Sequence, residues 1–196
     1  MSYRIVTISR EFGSSGSTIG KQLADKLGIK CYDREIIKQV AQQSGLGEKF
    51  IEEKGEYGNK VAIETFFATG NYYNGPSLED SIWALQQEFI TDLAQKEPCV
   101  IVGRCADFIL KQRDDVLNVF IHADKKLRME KALSETNEKI LDIERFIKDK
   151  DKRRAAYVQF YTDRQWGLAS NYHISLDSGK LGVEKCVSIL EQLYKN

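Results

Sequence analysis

The sequence predicts an α/β fold of three layers, in which a parallel β-sheet lies between two layers of helices. Short apolar segments typical of strands alternate along the chain with segments of helical periodicity. That order is typical of parallel strands joined by right-handed crossover helices. One segment, Cys99–Gly103 (CVIVG), carries no polar side chain, as expected of a central strand that is buried on both faces.

Five strands and the helices between them follow from these patterns. The predicted strands are Tyr3–Ile8, Ile29–Tyr32, Cys99–Gly103, Val116–Ala123 and Tyr172–Asp177. After the first strand, apolar residues at 19, 23, 24 and 27 form one helical face. Further helices are predicted over Arg34 to about Gln43, Leu78–Gln95, 106–111, about Lys125–Asp163 and Val183–Tyr194. Asp33 stands at the N-cap position of the second helix.

Length and composition limit the classes of function that the protein can have. The 196 residues suit a single domain spanning 1–196. The 29 basic residues balance 29 acidic ones, which argues against a broad nucleic-acid or membrane surface. We find neither an apolar run long enough to cross a membrane nor a signal-peptide pattern. Four cysteines without CxxC spacing indicate reduced thiols and a cytoplasmic protein. Because the sequence has two histidines, we expect neither a zinc site nor a histidine-based catalytic triad.

The segment TISREFGSSGSTIGKQLADKLG (7–28) places a glycine-rich turn between a strand and a helix. Backbone N–H groups and the helix dipole make such a turn an anion site. The motif G-x-x-x-x-G-K-[ST] is not matched, because Ser15 stands at its first glycine and Gln22 follows Lys21. The turn is therefore either a phosphate-binding loop or a plain helix start with Thr18 as N-cap.

Several separated segments resemble the cytidylate-kinase-like family, a branch near bacterial cytidylate kinase. They are ISREFGSSGSTIGKQLADKLGIKCYDREII, QQEFITDLAQKEPCVIVGRCADFIL, VFIHADKKLRMEKAL, DKRRAAYVQFYTDRQWG and YHISLDSGKLG. The resemblance implies a P-loop NTPase fold of the nucleoside-monophosphate-kinase type with a helical lid at about 135–167. It also implies ATP and Mg²⁺ as cofactors and a small-molecule nucleotide as acceptor.

Under this resemblance the loop holds the phosphates of the donor nucleotide. The implied contacts are Gly13, Ser14, Ser15, Gly16, Ser17 and Thr18, with the Thr18 hydroxyl on the magnesium of Mg-ATP. When the predicted helical segment GKQLADKLG (20–28) is laid over the equivalent helix of a cytidylate kinase, Gly16 falls on the catalytic lysine. Arg10 is the nearest substitute cation and Lys21 the second, although a structural ion pair is an equal reading of Arg10.

The resemblance also assigns an acceptor side. Arg104 follows a buried strand, where ligands of open α/β sheets bind, and matches the family arginine that holds the acceptor monophosphate. Cys105 stands where cytidylate kinases have an aspartate, for which Asp107 is a partial substitute. The pair Gln86-Gln87 matches a Gln-Arg pair of the cytidylate kinases, with Gln87 in place of the arginine. Asp33 and Arg34 either contact the acceptor or play structural roles.

The divergent insert at about 47–76 replaces the family's base-binding segment. Its aromatic residues either stack on a base or form packing or homodimer contacts; they are Phe66, Phe67, Tyr72 and Tyr73.

In the lid, Arg154 is expected at the transferring phosphoryl group, with Lys152 and Arg153 as weaker candidates. Arg128, at the first hinge of the lid, is expected to contact the donor nucleotide, and Asp177-Ser178 to lie beside its base. For each of these basic residues the alternative is a solvated helix with i, i+4 ion pairs.

Three functions remain open at this point. They are a nucleoside-monophosphate kinase, a catalytically weak or inactive nucleotide-binding sensor, and a kinase for a non-nucleotide acceptor. A dinucleotide-binding protein is disfavoured, because the first turn lacks G-x-G-x-x-G.

Overall fold

The computed structural model describes residues 3–45, 47–48, 78–135 and 140–195. Within them, five parallel strands form one sheet in the order β2-β3-β1-β4-β5. The strands are β1 (Ile5–Arg10), β2 (Lys30–Tyr32), β3 (Cys99–Val102), β4 (Val116–His122) and β5 (Ile174–Asp177). The register pairs Ile5 of β1 with Cys99 on one side and Val116 on the other. The predicted α/β fold is confirmed.

Helices join these strands. They are α1 (Gly16–Leu27), α2 (Glu35–Ser44), α3 (Leu78–Lys96), α4 (Ala106–Ile109), α5 (Lys125–Glu135), α6 (Ile143–Thr162), α7 (Ser178–Leu181) and α8 (Val183–Lys195), with a short 3₁₀ turn at Ala169–Asn171. The charged stretch predicted as one helix over Lys125–Asp163 therefore forms two helices. Asp142 begins the second helix, because its carboxylate accepts the Arg145 backbone N–H at 2.9 Å.

Two apolar cores produce the three layers. Helices α2, α3 and α4 pack on one face of the sheet around Ile5 and Ile101, both fully buried. Helices α1 and α8 pack on the other face around Ile8 and Val100. Adjacent strand residues point to opposite faces, so a strand buried on both sides is apolar throughout, as β3 is.

Some sequence-based boundaries were wrong. β1 continues to Arg10, two residues beyond its predicted end, so Arg10 belongs to the strand and has a fixed backbone. Asp33 is not the N-cap of α2; Arg34 holds that position, in helical geometry, without a side-chain cap bond. The predicted insert at about 47–76, with Phe66, Phe67, Tyr72 and Tyr73, lies outside the described residues apart from 47 and 48.

Within the described ranges, no helix has the length and apolar character needed to cross a bilayer.

Candidate phosphate-binding site

The turn between β1 and α1 lies at the carboxyl edge of the sheet. Gly13 and Ser15 adopt left-handed backbone angles, with φ of 76° and 60°. A side chain at Gly13 would press on the backbone of Arg128, whose Cα would lie 3.1 Å from the added Cβ. Ser15, not Thr18, is the N-cap residue of α1, and its side chain makes no cap bond. The helix start therefore keeps backbone donors for an anion.

The hydroxyl residues of the turn divide into two groups. Ser15, Ser17 and Thr18 line a cavity of about 90 Å³ together with Arg10 and Arg154. Ser14 is instead buried, and its hydroxyl donates to the Glu11 carbonyl oxygen at 2.9 Å. These contacts give Ser14 a structural role in the turn.

The predicted Asp177-Ser178 pair closes the other side of the turn. The Ser178 hydroxyl lies 2.7 Å from the Ser14 carbonyl oxygen and 3.0 Å from that of His122. Asp177 caps α7 by accepting the backbone N–H groups of Gly179 and Lys180 at 2.9 and 3.1 Å.

Arg10 occupies space that two glycines leave open. A Cβ on Gly16 would lie 2.5 Å from the Arg10 Cβ and 2.7 Å from its Cγ, so the arginine stem fills the space beside position 16. Its guanidinium lies over Gly103, where an added Cβ would be 3.2 Å from the Arg10 Cζ. The side chain is 13 % exposed, and its Nη2 lies 3.7 Å from the Asp33 carboxylate. The surroundings of Arg10 therefore support both interpretations, a substitute cation beside the loop and a structural ion pair with Asp33.

Lys21, the second candidate cation, lies elsewhere. It is exposed on α1, on the side that faces the Cys31 thiol and the Glu35 carboxylate, and it does not line the loop cavity.

Arg104 follows β3 in a strained turn. Gly103, Arg104 and Cys105 have φ of 78°, 58° and 52°, three consecutive left-handed residues. For the two that carry a Cβ, such a backbone costs on the order of 1–3 kcal/mol each, a strain that clusters at functional sites. Arg104 is 8 % exposed, and among the described residues its Nη1 has no hydrogen-bond partner. A buried guanidinium nitrogen without a partner is suited to an anionic ligand.

The three predicted catalytic arginines meet at one place. Arg10, Arg104 and Arg154 line a cavity of about 30 Å³ that adjoins the loop cavity, and Arg10 and Arg154 line both. Cys105 also lines it, and burial raises the pKa of this thiol so that it stays neutral. The site concentrates positive charge between the glycine-rich turn and the end of β3.

Helix α6, the predicted lid helix, is anchored on the turn through Phe12. The Phe12 N–H donates to the Asp151 carboxylate at 2.7 Å, and its ring meets the Phe146 ring edge-on at 5.5 Å. The Arg154 guanidinium lies 5.5 Å from the centre of the same ring and donates to the Arg10 carbonyl oxygen at 3.0 Å. The lid helix therefore holds Arg154 against the loop.

Arg128 makes ion pairs in the same region. Its Nε lies 3.3 Å from the Glu11 carboxylate, and its Nη1 contacts the Asp151 carboxylate and the Phe12 carbonyl oxygen. These contacts tie α5 to the turn and to α6. The predicted contact of Arg128 with a donor nucleotide stays a prediction.

Asp107 and Arg34 lie apart from the arginine cavity. Asp107 is buried and lines a separate cavity of about 200 Å³ with Arg164 and Tyr172. Burial raises the pKa of its carboxyl group, and the attraction of Arg164 opposes that shift only in part. Arg34 is exposed at the start of α2. Roles for these two residues in acceptor binding stay predictions.

Two weaker lid candidates also lie away from the three arginines. Lys152 and Arg153 are exposed, and Lys152 lines a cavity of about 490 Å³ on another side of α6.

Sequence reasoning missed Phe12 and Asp151, and it named Gln86 only as the matching member of a Gln-Arg pair, without a role. Gln86 is 2 % exposed, and its amide nitrogen donates to the Arg104 carbonyl oxygen and to the Tyr157 hydroxyl, each at 3.1 Å. An aromatic residue within a glycine-rich turn was a usable signal for Phe12. Asp151 lies in a polar stretch of a long helix, where no pattern separates a functional residue from a solvated one. Gln86 lies four residues from both Ile82 and Ile90, so its spacing predicts burial but not its partners.

Comparison with solved structures shows which fold the chain has. A shikimate kinase from Bacteroides thetaiotaomicron aligns with a TM-score of 0.57 and 13 % identity over 98 % of both chains. A gluconokinase from Sinorhizobium meliloti 1021 aligns with a TM-score of 0.54 and 14 % identity over 100 % of this chain and 97 % of its own. These similarities show that the chain has the fold of P-loop kinases.

The family follows from a comparison with family models. A model described as the cytidylate kinase-like family matches residues 5–180. The chain therefore belongs to the cytidylate kinase-like family. A crystal structure of an uncharacterized protein from Eubacterium ventriosum ATCC 27560 aligns with a TM-score of 0.73 and 26 % identity over 97 % of both chains. The sequence matched none of the curated proteins with which it was compared.

Proposed function

We propose that this protein is an ATP-dependent phosphotransferase that moves the γ-phosphoryl group of ATP onto a nucleoside monophosphate or another small anionic acceptor. The observation that carries this proposal is the position of Arg10. Its stem lies against Gly16 and its guanidinium lies over Gly103. One cation therefore lines both the loop cavity and the adjoining cavity that Arg104 also lines.

Each part of the site has a role in the transfer. The turn 13–18 binds donor phosphates through its backbone N–H groups and the hydroxyls of Ser15, Ser17 and Thr18. Arg104 binds the acceptor anion through its buried Nη1, which has no hydrogen-bond partner within the described part of the chain. Arg10 and Arg154 neutralise charge on the phosphoryl group as its bond to ADP breaks and its bond to the acceptor oxygen forms. The acceptor proton leaves to solvent, and ADP is the second product.

We expect a metal ion to enter this site together with a nucleotide. Among the described residues, no three His, Cys, Asp or Glu side chains are arranged to hold an ion. Thr18 lines the loop cavity and is the residue whose hydroxyl could join the coordination shell of phosphate-bound magnesium. When bound with ATP, magnesium would supply neutralisation of phosphate charge.

The test is transfer from γ-labelled ATP, with and without magnesium, to cytidine, uridine, adenosine and guanosine monophosphates and to non-nucleotide acceptors. We expect magnesium-dependent turnover with at least one acceptor, and a large loss in Arg104→Ala. Arg145→Ala is the matched control, because Arg145 is exposed on α6 and pairs with Asp149.

Two outcomes would overturn the proposal in different ways. Saturable ATP binding without transfer to any acceptor would favour the nucleotide-binding sensor. Absence of ATP binding would reduce the glycine-rich turn to a structural element.

A further inference from the structure

Gln86 connects the backbone of Arg104 to the lid helix. Its amide nitrogen donates one hydrogen to the Arg104 carbonyl oxygen and the other to the Tyr157 hydroxyl, each at 3.1 Å. A carbonyl oxygen only accepts, so the nitrogen of the amide must face Arg104. Both hydrogens of a buried side chain are thereby used within the protein.

The bond to Arg104 supports a strained segment. Arg104 is the middle residue of the left-handed run 103–105, and its side-chain direction follows from that backbone conformation. The Gln86 amide satisfies the Arg104 carbonyl oxygen in this conformation. Without the amide the carbonyl would be buried and unpaired, and the segment could relax towards ordinary backbone angles. The Arg104 guanidinium would then lose its position in the cavity.

The bond to Tyr157 reaches the lid. Tyr157 is 4 % exposed and lies on α6, three residues after Arg154. Trp83, one turn before Gln86 on α3, stacks on Tyr161 at 4.4 Å and meets the edge of Tyr157 at 6.0 Å. This contact surface fixes α6 beside α3, and the Gln86 amide lies within it. One side chain thus touches the acceptor segment and the helix that carries Arg154.

We propose that Gln86 is a positioning residue that holds Arg104 in register with the acceptor anion and couples Arg104 to helix α6. This inference rests on the function proposed above. Gln86 has no contact with the reacting groups; it acts through the Arg104 backbone and the Tyr157 hydroxyl.

The test compares Gln86→Met, which keeps the length of the side chain and removes both donors, with Gln95→Met at an exposed position of the same helix. We expect the KM for the acceptor to rise about 10- to 100-fold in Gln86→Met, the effect of leaving a buried group unpaired. The KM for ATP should stay within about twofold of wild type. A parallel rise of both KM values together with a lowered Tm would show a merely structural role and overturn the proposal.

Tyr157→Phe separates the two bonds, because it retains the aromatic packing and removes only the hydroxyl. We expect it to lower kcat more than it raises the acceptor KM, since the Arg104 carbonyl keeps its donor. Gln86→Asn, which retains the amide on a shorter side chain, should recover part of the acceptor affinity. Unchanged kcat in Tyr157→Phe would refute the coupling to α6.

Calorimetric titration with cytidine monophosphate and with orthophosphate distinguishes failure of this inference from failure of the proposed function. If a probe binds to wild type and Gln86→Met binds it with the same affinity, the positioning role is refuted and the proposed function is not. If wild type bound neither probe and transferred no phosphoryl group, the proposed function would fail and this inference with it.

Discussion

Replacement of Arg10 tests whether the cation missing at position 16 has moved to β1. In Arg10→Ala the guanidinium beside Gly103 is lost, while the fold keeps the glycine-rich turn. Removal of a charge-assisted contact from a desolvated site costs roughly 2.7–4 kcal/mol of transition-state stabilisation, or about 10²–10³ in kcat. We expect a loss of that size, with ATP affinity reduced less than kcat.

Two further variants sharpen this prediction. Arg10→Lys keeps the charge and loses the planar fork, so its rate should fall between wild type and Arg10→Ala. Lys21→Ala removes the rival cation and should leave the rate within about twofold of wild type.

The cation can also be placed at position 16. A side chain on Gly16 collides with the Arg10 Cβ at 2.5 Å, so Gly16→Lys requires Arg10→Gly in the same chain. We expect this double variant to be faster than Arg10→Gly alone. The assay is the initial rate of ADP formation in the presence of acceptor. Full activity of Arg10→Ala, or loss of activity in Lys21→Ala, would refute the reasoning.

Three other predictions follow from the site. Asp151→Asn should raise the KM for ATP about 5- to 20-fold in steady-state assays. The reason is that the Phe12 N–H loses a charged acceptor and Arg128 loses an ion pair. An unchanged KM for ATP would contradict this prediction. Phe12→Ala should lower kcat and thermal stability together by detaching α6 from the turn, and a selective effect on either would argue against that contact. Asp107→Asn should raise Tm near pH 7. The pKa of Asp107 is raised above its ordinary 3.8, so its ionisation costs stability as pH rises past that value; one kcal/mol corresponds to about 2–4 °C. A gain in Tm that did not shrink towards pH 4 would show another cause.

The fold was predictable because burial leaves a strong pattern in the sequence. A strand buried on both faces cannot carry polar side chains, and Cys99–Val102 shows that directly. The position of Arg104 followed from the same strand, since ligand sites of parallel sheets lie at the carboxyl ends of the strands.

The contacts that join the site residues were less predictable. The sequence indicated Arg10 as a candidate, but the role of Arg10 depends on contacts with Gly16 and Gly103, which are 87 residues apart in the chain. Gln86 is one of two adjacent glutamines in a helix, and its spacing to Ile82 and Ile90 places it on the buried face. Only the tertiary structure shows that its amide meets Arg104. Such contacts arise from tertiary structure, and local periodicity does not encode them.

A structure of the protein with magnesium and a non-hydrolysable ATP analogue tests the central claim most directly. The account predicts the β- and γ-phosphates in the turn 13–18, with the Arg10 guanidinium within hydrogen-bond distance of the γ-phosphate and Arg154 on its other side. Phosphates bound outside this turn, or an Arg10 that keeps its pairing with Asp33 and leaves the γ-phosphate uncontacted, would contradict it.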